Sequence, residues 1–229
     1  VWLDSDRDGV LDLGESGIAG VTVELYQADG TFVATTTTGP DGSYVFVDVP
    51  PGSYTVQEVQ PNQYGSSTPN IIPVFVPPSL VPVTSLDFGE VPASLSGWVY
   101  LDANDNGIRD DGERGIGGVV LSLTGEDING NPISLTTTTD SSGFYIFNDL
   151  PASGPEGFTI SQSQPIGYAD GLDGANNPEN IAGSLGGIIG NDLLSAILLE
   201  AGEIGDTYNF GEVGVNSLSG FVYLDYNLN

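Results

Sequence analysis

Residues 1–21 read VWLDSDRDGVLDLGESGIAGV, and the same pattern returns at residues 99–119 as VYLDANDNGIRDDGERGIGGV. A third and shorter start, VYLDYNLN, begins at Val222. The two full copies also end alike, with DFGEV from Asp87 and NFGEV from Asn209. Self-similarity of this kind predicts two tandem structural units and the start of another.

Each unit has the pattern of short β-strands separated by turns. In the first unit, turn signals such as Asp29-Gly30 separate predicted strands at residues 1–3, 21–27, 32–38, 44–47, 53–60, 71–76 and 85–88. About seven strands in roughly 100 residues is the size of an immunoglobulin-like sandwich. We therefore predict an all-β chain of two tandem immunoglobulin-like β-sandwich domains, residues 1–94 and 95–214, followed by an orphan strand in residues 215–229.

One segment of the second unit has two interpretations. The sequence NDLLSAILLEAG, residues 191–202, has the spacing of a capped amphipathic helix. It also occupies the place of the last strands of the first unit. For that reason we predict a strand there.

The amino-acid composition excludes several classes of function. The 229 residues include no His and no Cys, and Lys+Arg number 3 against Asp+Glu 31, which gives a formal net charge of −28. All three basic residues are Arg. These absences exclude Ser-His and Cys-His catalysis, zinc sites built on thiolate or imidazole, and disulfides. The charge makes nucleic acid and anionic membranes poor partners, and no apolar run approaches the roughly 18 residues that span a bilayer.

The loop after the first predicted strand of each unit carries the strongest chemical signal. Both copies match the calcium-loop pattern D-x-[DN]-x-[DN]-G-x5-E, in which a Gly makes a sharp turn and a final Glu binds through both oxygens. The carbonyl of the residue after the Gly is also a ligand. The predicted calcium ligands are Asp4, Asp6, Asp8, Val10, Asp12 and Glu15 in the first loop, and Asp102, Asn104, Asn106, Ile108, Asp110 and Glu113 in the second.

The two loops differ in charge. The first contains five carboxylates and the second contains three, with two Asn in place of Asp. We therefore expect the first loop to bind calcium more tightly. Because a strand precedes each loop, these are predicted to be calcium loops on a β domain and not helix-loop-helix sensors. The alternative interpretation, simple solvated turns, fits one isolated match better than two matches in register.

Two further groups of oxygen-bearing side chains are candidate cation ligands. In the longer second unit, four such residues lie near Gly-rich turns, where a cation site and a plain solvated loop are both consistent: Asp170, Asp173, Asn191 and Asp192. In the tail, the first three ligand positions recur but the chain stops before the Gly and the Glu, which predicts weak binding by Asp225, Asn227 and Asn229.

The motifs together resemble a family of bacterial surface repeats. The resemblance is carried by SGWVYLDANDNGIRDDGERGIGGV, GFYIF, GSYTVQEVQP and the closing FGE. These are similar to the B-type repeats of serine-aspartate-repeat surface proteins, calcium-binding domains of the collagen-adhesin B-like type. The resemblance implies an extracellular, immunoglobulin-like stalk stiffened by calcium. Related domains often carry a Lys-Asn crosslink, which this chain without Lys cannot form.

Three functional classes remain open at this stage. The repeats and calcium loops favour a structural or filament-forming surface module whose partners are calcium and neighbouring repeats. The alternative is an adhesive module that binds a host ligand or polysaccharide through an aromatic platform at Tyr64, Tyr168 or Trp98, although core packing is the commoner fate of a Trp at a strand start. An enzyme such as a glycosidase needs two acids across a cleft. Because the acidic clusters have calcium spacing, we predict no enzyme.

The order of the segments leads to two expectations about assembly. The loop at residues 4–15 should lie toward the pole from which the linker leaves, so calcium there should brace the start of the second domain. The tail sequence SLSGFVYLD, residues 217–225, is expected either to dock on a neighbouring copy by strand addition, giving a head-to-tail filament, or to open a third domain of a longer array.

Overall fold

The computed structural model describes residues 1–79, 81–174 and 182–215. Within these ranges the chain is all-β, as the sequence predicts, and contains strands only. The strands are β1 (Trp2–Leu3), β2 (Thr22–Gln27), β3 (Phe32–Thr37), β4 (Gly52–Glu58), β5 (Gly65–Ser66), β6 (Ile71–Val76), β7 (Gly89–Val91), β8 (Ala93–Leu101), β9 (Val120–Glu126), β10 (Pro132–Thr138), β11 (Phe144–Leu150), β12 (Phe158–Gln162), β13 (Tyr168–Asp170), β14 (Ile188–Gly190), β15 (Leu193–Ile197), β16 (Ile204–Gly205) and β17 (Phe210–Gly214). No helix in the described ranges is long and apolar enough to cross a bilayer.

Two sheets form the first repeat. One is antiparallel, in the order β3-β2-β4-β6, and the other has the order β1-β7-β5. In the second sheet the first and closing strands run parallel, with Trp2 opposite Gly89 and Leu3 opposite Glu90. The opening strand of the repeat therefore lies directly beside its closing strand.

The second repeat has the same two-sheet design with longer strands. Its first sheet has the order β10-β9-β12-β15-β14, and its second has the order β11-β8-β17-β13, with β16 also paired to β8. The opening and closing strands are again parallel neighbours, with Phe210 opposite Val99 and Glu212 opposite Leu101. Residues 191–202 contain the strand β15, which confirms the strand interpretation of that segment.

Each repeat has its own hydrophobic core between its two sheets. In the first repeat, the alternation of apolar residues along β2 and β4 buries Val23, Leu25 and Val56 against Phe88. In the second, the buried cluster is larger and includes both sheets: Leu95, Leu121, Leu123, Tyr145, Ile160, Leu194 and Phe210. The two separate cores fit an architecture of two immunoglobulin-like sandwiches in tandem.

Two predicted strands of the first repeat are wrong. Residues 44–47 form no strand, whereas the counterpart β11 in the second repeat pairs with Leu95–Trp98 of β8. Among the described residues, none takes the place of that partner in the first repeat, so the backbone of 44–47 is left without a ladder. The strand predicted at residues 85–88 begins instead at Gly89, where pairing with β1 starts.

Candidate metal centres

Each predicted calcium loop begins at the point where the opening strand leaves its sheet. Asp4 follows β1 and Asp102 follows β8. In both cases the closing strand holds the first loop residue: the Asp4 amide donates to the Glu90 carbonyl, and the Asp102 amide donates to the Glu212 carbonyl, each at 2.8 Å. The first predicted ligand is thus fixed by the last strand of its own repeat.

The first Asp of each loop is buried, and the backbone of the loop folds around it. Asp4 accepts hydrogen bonds from the amides of Asp8 and Gly9, at 3.2 Å and 2.8 Å. Burial opposes ionisation of Asp4, but hydrogen bonds such as these outweigh it and lower the pKa of the carboxyl. This carboxylate is therefore charged at neutral pH although it is shielded from water.

The second loop repeats this geometry. Asp102 is as buried as Asp4 and accepts hydrogen bonds from the amides of Asn106 and Gly107, at 3.1 Å and 2.7 Å. The Gly after the third ligand position has a positive φ in both copies, 76° at Gly9 and 72° at Gly107. This is the sharp turn that the calcium-loop pattern requires of its Gly.

The final Glu closes each loop back on its start. Glu15 accepts from the Ser5 amide at 2.9 Å with one oxygen and from the Asp12 amide at 3.0 Å with the other. Glu113 does the same with Ala103 and Asp110, at 2.8 Å and 2.9 Å. Each oxygen of the Glu is therefore fixed by one amide of its own loop, which ties the end of the loop to its beginning.

The middle positions give the two loops different charge. In the first loop, carboxylate oxygens of Asp4, Asp6 and Asp8 lie within 4.8 Å of one another. Partial desolvation and the charge of Asp8 raise the pKa of Asp6. In the second loop, the amide groups of Asn104 and Asn106 both donate to one oxygen of Asp110, at 2.9 Å and 3.0 Å. The first loop therefore concentrates carboxylates, whereas in the second loop two neutral amides donate to the carboxylate of Asp110.

The remaining backbone ligands predicted from the motif lie after the turn. The Val10 amide donates to the Asp8 side chain, and the Ile108 amide donates to the Asn106 side chain, both at 2.7 Å. The side chains of Val10 and Ile108 are 56% and 40% exposed, so these residues contribute to the loop through their backbone and not through packing. All twelve predicted loop residues thus lie in two loops of the same construction.

The first loop also contacts the second repeat. Arg7 lies between the ligand positions Asp6 and Asp8 and has a φ of 64°. Its guanidinium donates to the Gly202 carbonyl at 2.9 Å and also to the carbonyl of Pro92 in the linker. A second contact joins the side chains of Asn62 and Asn129 at 2.7 Å. The loop at residues 4–15 therefore lies at the joint between the repeats, on the side that the sequence predicts.

The acidic residues of the second unit come together, with an addition that the sequence analysis missed. Carboxylate oxygens of Asp170, Asp192 and Glu212 lie within 4.8 Å of one another. Asp173 is close by and accepts from the Asp192 amide at 2.7 Å. Glu212 belongs to the FGE motif that closes both repeats. The recurrence of this motif is the sequence signal that could have identified Glu212 as a candidate residue. Asp225, Asn227 and Asn229 of the tail lie outside the described residues.

A buried carboxyl pair in the first repeat was also missed. Glu58 and Glu90 are almost completely buried. Burial raises the pKa of Glu58 to about 7, and burial together with the charge of Glu58 raises the pKa of Glu90 to about 8. The side chain of Gln60 donates to Glu90, as that of Gln164 donates to Glu212 in the second repeat.

The aromatic platform expected of an adhesive module does not form at Trp98. The ring lies 5.1 Å from that of Phe144 between centroids, and the Arg109 guanidinium covers it at 5.1 Å. Trp98 is half-buried within β8 and packs against its own repeat.

Comparison with known proteins gives a consistent family. Relatives include serine-aspartate repeat-containing protein F of Staphylococcus epidermidis, 34% identical over 180 residues, which are 73% of this chain and 10% of that protein. Serine-aspartate repeat-containing protein D of Staphylococcus aureus strain Newman is 31% identical over 234 residues, 93% of this chain and 17% of that protein. The chain thus spans only a small part of the curated relatives that it matches.

Comparison with solved structures also gave matches, with TM-scores below 0.5. They include the TIE protein of Bacillus anthracis, with a TM-score of 0.40 and 17% identity over 88% of this chain and 32% of that one. The minor pilin GBS52 of Streptococcus agalactiae has a TM-score of 0.33 and 16% identity over 94% of this chain and 91% of that one. The sequence model of the SdrD B-like domain matches residues 1–71 and 93–210, most of both repeats, and the chain belongs to that family.

Proposed function

We propose that this chain is a calcium-stabilised structural module of an extracellular surface protein or filament. Its family makes it a cell-surface repeat and not an enzyme. The observation that supports calcium is the shared construction of the two loops. In each, a buried Asp is anchored to the closing strand and accepts hydrogen bonds from two backbone amides of the loop, and the final Glu accepts from two further loop amides, one with each oxygen.

The residues of the loops fit a hard cation that prefers oxygen. The first loop would hold it through Asp4, Asp6, Asp8, the Val10 carbonyl, Asp12 and Glu15, and the second through Asp102, Asn104, Asn106, the Ile108 carbonyl, Asp110 and Glu113. Bound calcium supplies positive charge to groups that otherwise repel one another in a chain with a net charge of −28. Because each loop is anchored to a closing strand, this charge stabilises the pairing of the first and last strands.

The position of the first loop supports a second role for calcium, at the joint between the repeats. Arg7 projects from the middle of this loop and donates to carbonyls of Gly202 and of the linker residue Pro92. An ordered loop presents the guanidinium in one place, whereas a loop without calcium samples many. Calcium binding thus stiffens the joint as well as each domain.

Isothermal titration of the full chain with calcium tests the proposal. We expect one tight event from the first loop and one weaker event from the second, since extracellular modules bind calcium at about 0.1–1 mM. Glu15→Gln should remove the tight event alone, and Glu113→Gln should remove the weaker one alone. A chain that takes up no calcium at millimolar concentration would contradict the proposal.

We also propose that copies of the module associate by strand addition to the first repeat. Its segment at residues 44–47 pairs with no strand among the described residues, and Val45 and Val81, which line the adjacent groove, are 68% and 70% exposed. One hydrogen bond beside the groove has a counterpart in the second repeat. Tyr44 donates to the Leu86 carbonyl there as Tyr145 donates to the Tyr208 carbonyl, both at 2.6 Å.

The sequence of the tail suits this groove. In the second repeat, β8 pairs with β11 on one side and with β16 on the other, and this part of β8 has the sequence SLSG at residues 94–97. The tail has the same sequence, SLSG, at residues 217–220. The tail itself lies outside the described residues. Deleting residues 215–229 tests the idea: the shortened chain should remain monomeric at concentrations where the full chain forms head-to-tail assemblies. Equal assembly of the two chains in analytical ultracentrifugation would exclude strand addition.

A further inference from the structure

The outer face of one sheet of the first repeat carries exposed aromatic side chains. In the antiparallel sheet β3-β2-β4-β6, Val23, Leu25 and Val56 point inward, and the residues that alternate with them point to the other face. Phe32 of β3 and Phe75 of β6 lie on this outer face and are 52% and 62% exposed. These two rings therefore contribute little to the core of their own repeat.

Tyr26 and Phe32 form an aromatic corner on this face. They lie opposite each other on β2 and β3, and their ring centroids are 5.7 Å apart with the ring planes at 75°. The Tyr26 hydroxyl donates to a carboxylate oxygen of Glu24 at 2.5 Å, so the Tyr26 ring leans along β2. The Phe32 ring stands across it.

A second apolar wall lies on the other side of β4. It consists of the alternate residues of β6, which are all exposed: Ile71, Pro73 and Phe75. Between this wall and the aromatic corner, β4 presents the small residues Ser53 and Thr55. They lie opposite Phe75 and Pro73. Because neighbouring strands are about 4.8 Å apart, the two walls stand roughly 10 Å apart, and the outer face is a shallow trough along β4.

The second repeat shows that the fold does not require these aromatic residues. Thr124 follows the buried Leu123 as Tyr26 follows Leu25, and Thr124 is paired with Ser134. The same four-strand order thus forms with hydroxyl groups in place of the aromatic corner. Aromatic side chains are favoured in strands in general, but this comparison leaves their presence in the first repeat unexplained by folding alone.

The trough can recognise a ligand only through its side chains. The strands β2 and β4 are each paired on both sides, so their backbone groups are already used. On the edge strand β6, Pro73 has no amide hydrogen to donate. An extended peptide joins a sheet through main-chain hydrogen bonds at an edge. It therefore has no place on this face.

The size of the face limits the partner further. The strands β2 and β6 have 6 residues each. Four strands of this length give a face of roughly 20 Å by 15 Å, or about 300 Å². A stable interface between proteins uses about 800 Å² on each partner. The face is therefore too small for a second copy of the chain and suits a narrow, extended ligand.

The chemistry of the trough favours a neutral ligand that has both apolar and hydroxyl groups. The chain has a net charge of −28, and its basic residues Arg7, Arg109 and Arg114 lie outside these strands, which disfavours anions. The faces of aromatic rings carry partial negative charge and attract the C–H groups of a sugar ring. The hydroxyl groups of Ser53 and Thr55 can donate and accept hydrogen bonds with sugar hydroxyls.

We propose that the outer face of the first repeat binds a neutral polysaccharide, which lies along β4 and stacks on the aromatic corner of Tyr26 and Phe32. Phe75 closes the other side of the trough. This activity goes beyond the structural role proposed above and is separate from the calcium loops. The second repeat, with Thr124 and Ser134 in the corresponding row, does not share it.

Affinity electrophoresis of the full chain tests the proposal, in native gels that contain a soluble β-glucan, a mannan or a dextran. We expect at least one of these neutral polysaccharides to retard the parent chain. Tyr26→Thr with Phe32→Ser gives the first repeat the residues of the second and should restore free mobility, and Phe75→Ser should reduce the retardation. The matched control, Thr124→Ala with Ser134→Ala, should be retarded like the parent. All of these substitutions leave the net charge unchanged.

The melting temperature shows whether each variant is folded. Free mobility of the parent chain in all of these gels would overturn the proposal, and so would equal retardation of a folded Tyr26→Thr, Phe32→Ser variant. Sedimentation at increasing protein concentration tests the competing partner. If the face drives self-association that this variant abolishes, and no polysaccharide retards the parent, the face is a protein interface and the proposal is wrong.

Discussion

Gln162 of the second repeat occupies the place that Glu58 holds in the first. Glu58 lies opposite Val23 on β2, and Gln162 lies opposite Leu121, the corresponding residue of β9. In the second repeat the Gln162 amide donates to the buried Glu212. In the first repeat, Glu58 meets the buried Glu90 instead, and neither oxygen of Glu58 has a hydrogen-bond partner. Two carboxyl groups in this place form a hydrogen bond only when one of them keeps its proton.

The first prediction concerns Glu58→Gln. The new amide should donate to Glu90 as Gln162 does to Glu212, and a buried charge is removed. We expect the free energy of unfolding of the first repeat to rise by about 1–3 kcal/mol at pH 8, measured by denaturant titration in chelator. The matched exchange, Gln162→Glu, should destabilise the second repeat. A neutral or destabilising Glu58→Gln would contradict the prediction.

The pH dependence of the same pair follows from its raised pKa values. Glu58 and Glu90 have folded-state values of about 7 and about 8, above the ordinary Glu value of about 4.3. Because the proton favours the folded state, this stabilisation is complete below about pH 4 and is lost as the pH rises through 7 to 8. In chelator, the first repeat should therefore melt at a lower temperature at pH 9 than at pH 6. Glu58→Gln should reduce this difference, and an identical pH profile would contradict the assignment.

The next prediction is that chelation lowers the melting temperature of both repeats. A site held at about 100 times its dissociation constant adds about 2.7 kcal/mol to stability. Asp4→Asn with Glu15→Gln should abolish the response of the first repeat in calorimetry and leave that of the second, and Asp102→Asn with Glu113→Gln should do the reverse. Superimposable melting curves in EDTA and in millimolar calcium would rule out stabilisation by the ion.

Arg7→Ala should loosen the joint without unfolding either repeat. The substitution removes the contacts with Gly202 and Pro92. In small-angle scattering with calcium we expect a larger spread of interdomain distances and no change in melting temperature. Arg114→Ala, which removes the same charge from the second repeat, is the control. If both variants scatter like the parent chain, Arg7 does not brace the joint.

Gly97→Ala should strongly destabilise the second repeat. A Cβ at this position of β8 would lie 1.8 Å from the Tyr208 carbonyl oxygen, which already accepts the hydrogen bond of Tyr145. Relieving such an overlap moves the backbone and costs at least about 1–3 kcal/mol. Gly214→Ala is the matched control, because its nearest neighbour would be 3.9 Å away. Equal melting temperatures for the two variants would contradict this account.

The parts of the structure that could be predicted are those encoded by residues close together in sequence. The predicted calcium loops are single segments, so spacing alone was enough to propose Asp4 and Glu15 as ligands, and the structure places both in one closed loop. The pattern of short apolar segments between turn signals likewise predicted β2 and β6 to within one residue. The prediction of a strand at residues 44–47 was wrong although the sequence of this segment is typical of a strand. A strand also needs a partner strand to pair with, and the local sequence does not specify whether one is present.

The missed residues depend on long-range pairing. Glu212 joins Asp170 and Asp192 only because β17 lies beside β13, and Gln162 reaches the same point from another sheet. In the sequence, Arg7 is only the residue between the predicted ligands Asp6 and Asp8, and nothing nearby indicates a contact with the second repeat. Its contact with Gly202 depends on how one repeat sits against the next, which no local pattern encodes.

The parallel pairing of the opening and closing strands determines how each repeat responds to mechanical force. In the second repeat, β8 and β17 lie side by side in register from Val99 opposite Phe210 to Leu101 opposite Glu212. Tension along the chain pulls these strands past each other, so their hydrogen bonds are loaded in shear and must break together, not one after another as in unzipping. The Asp102 amide adds a further bond at the end of this pair, where the calcium loop begins. An ion bound in that loop, as proposed above, would hold the two strands together at the point where rupture would start.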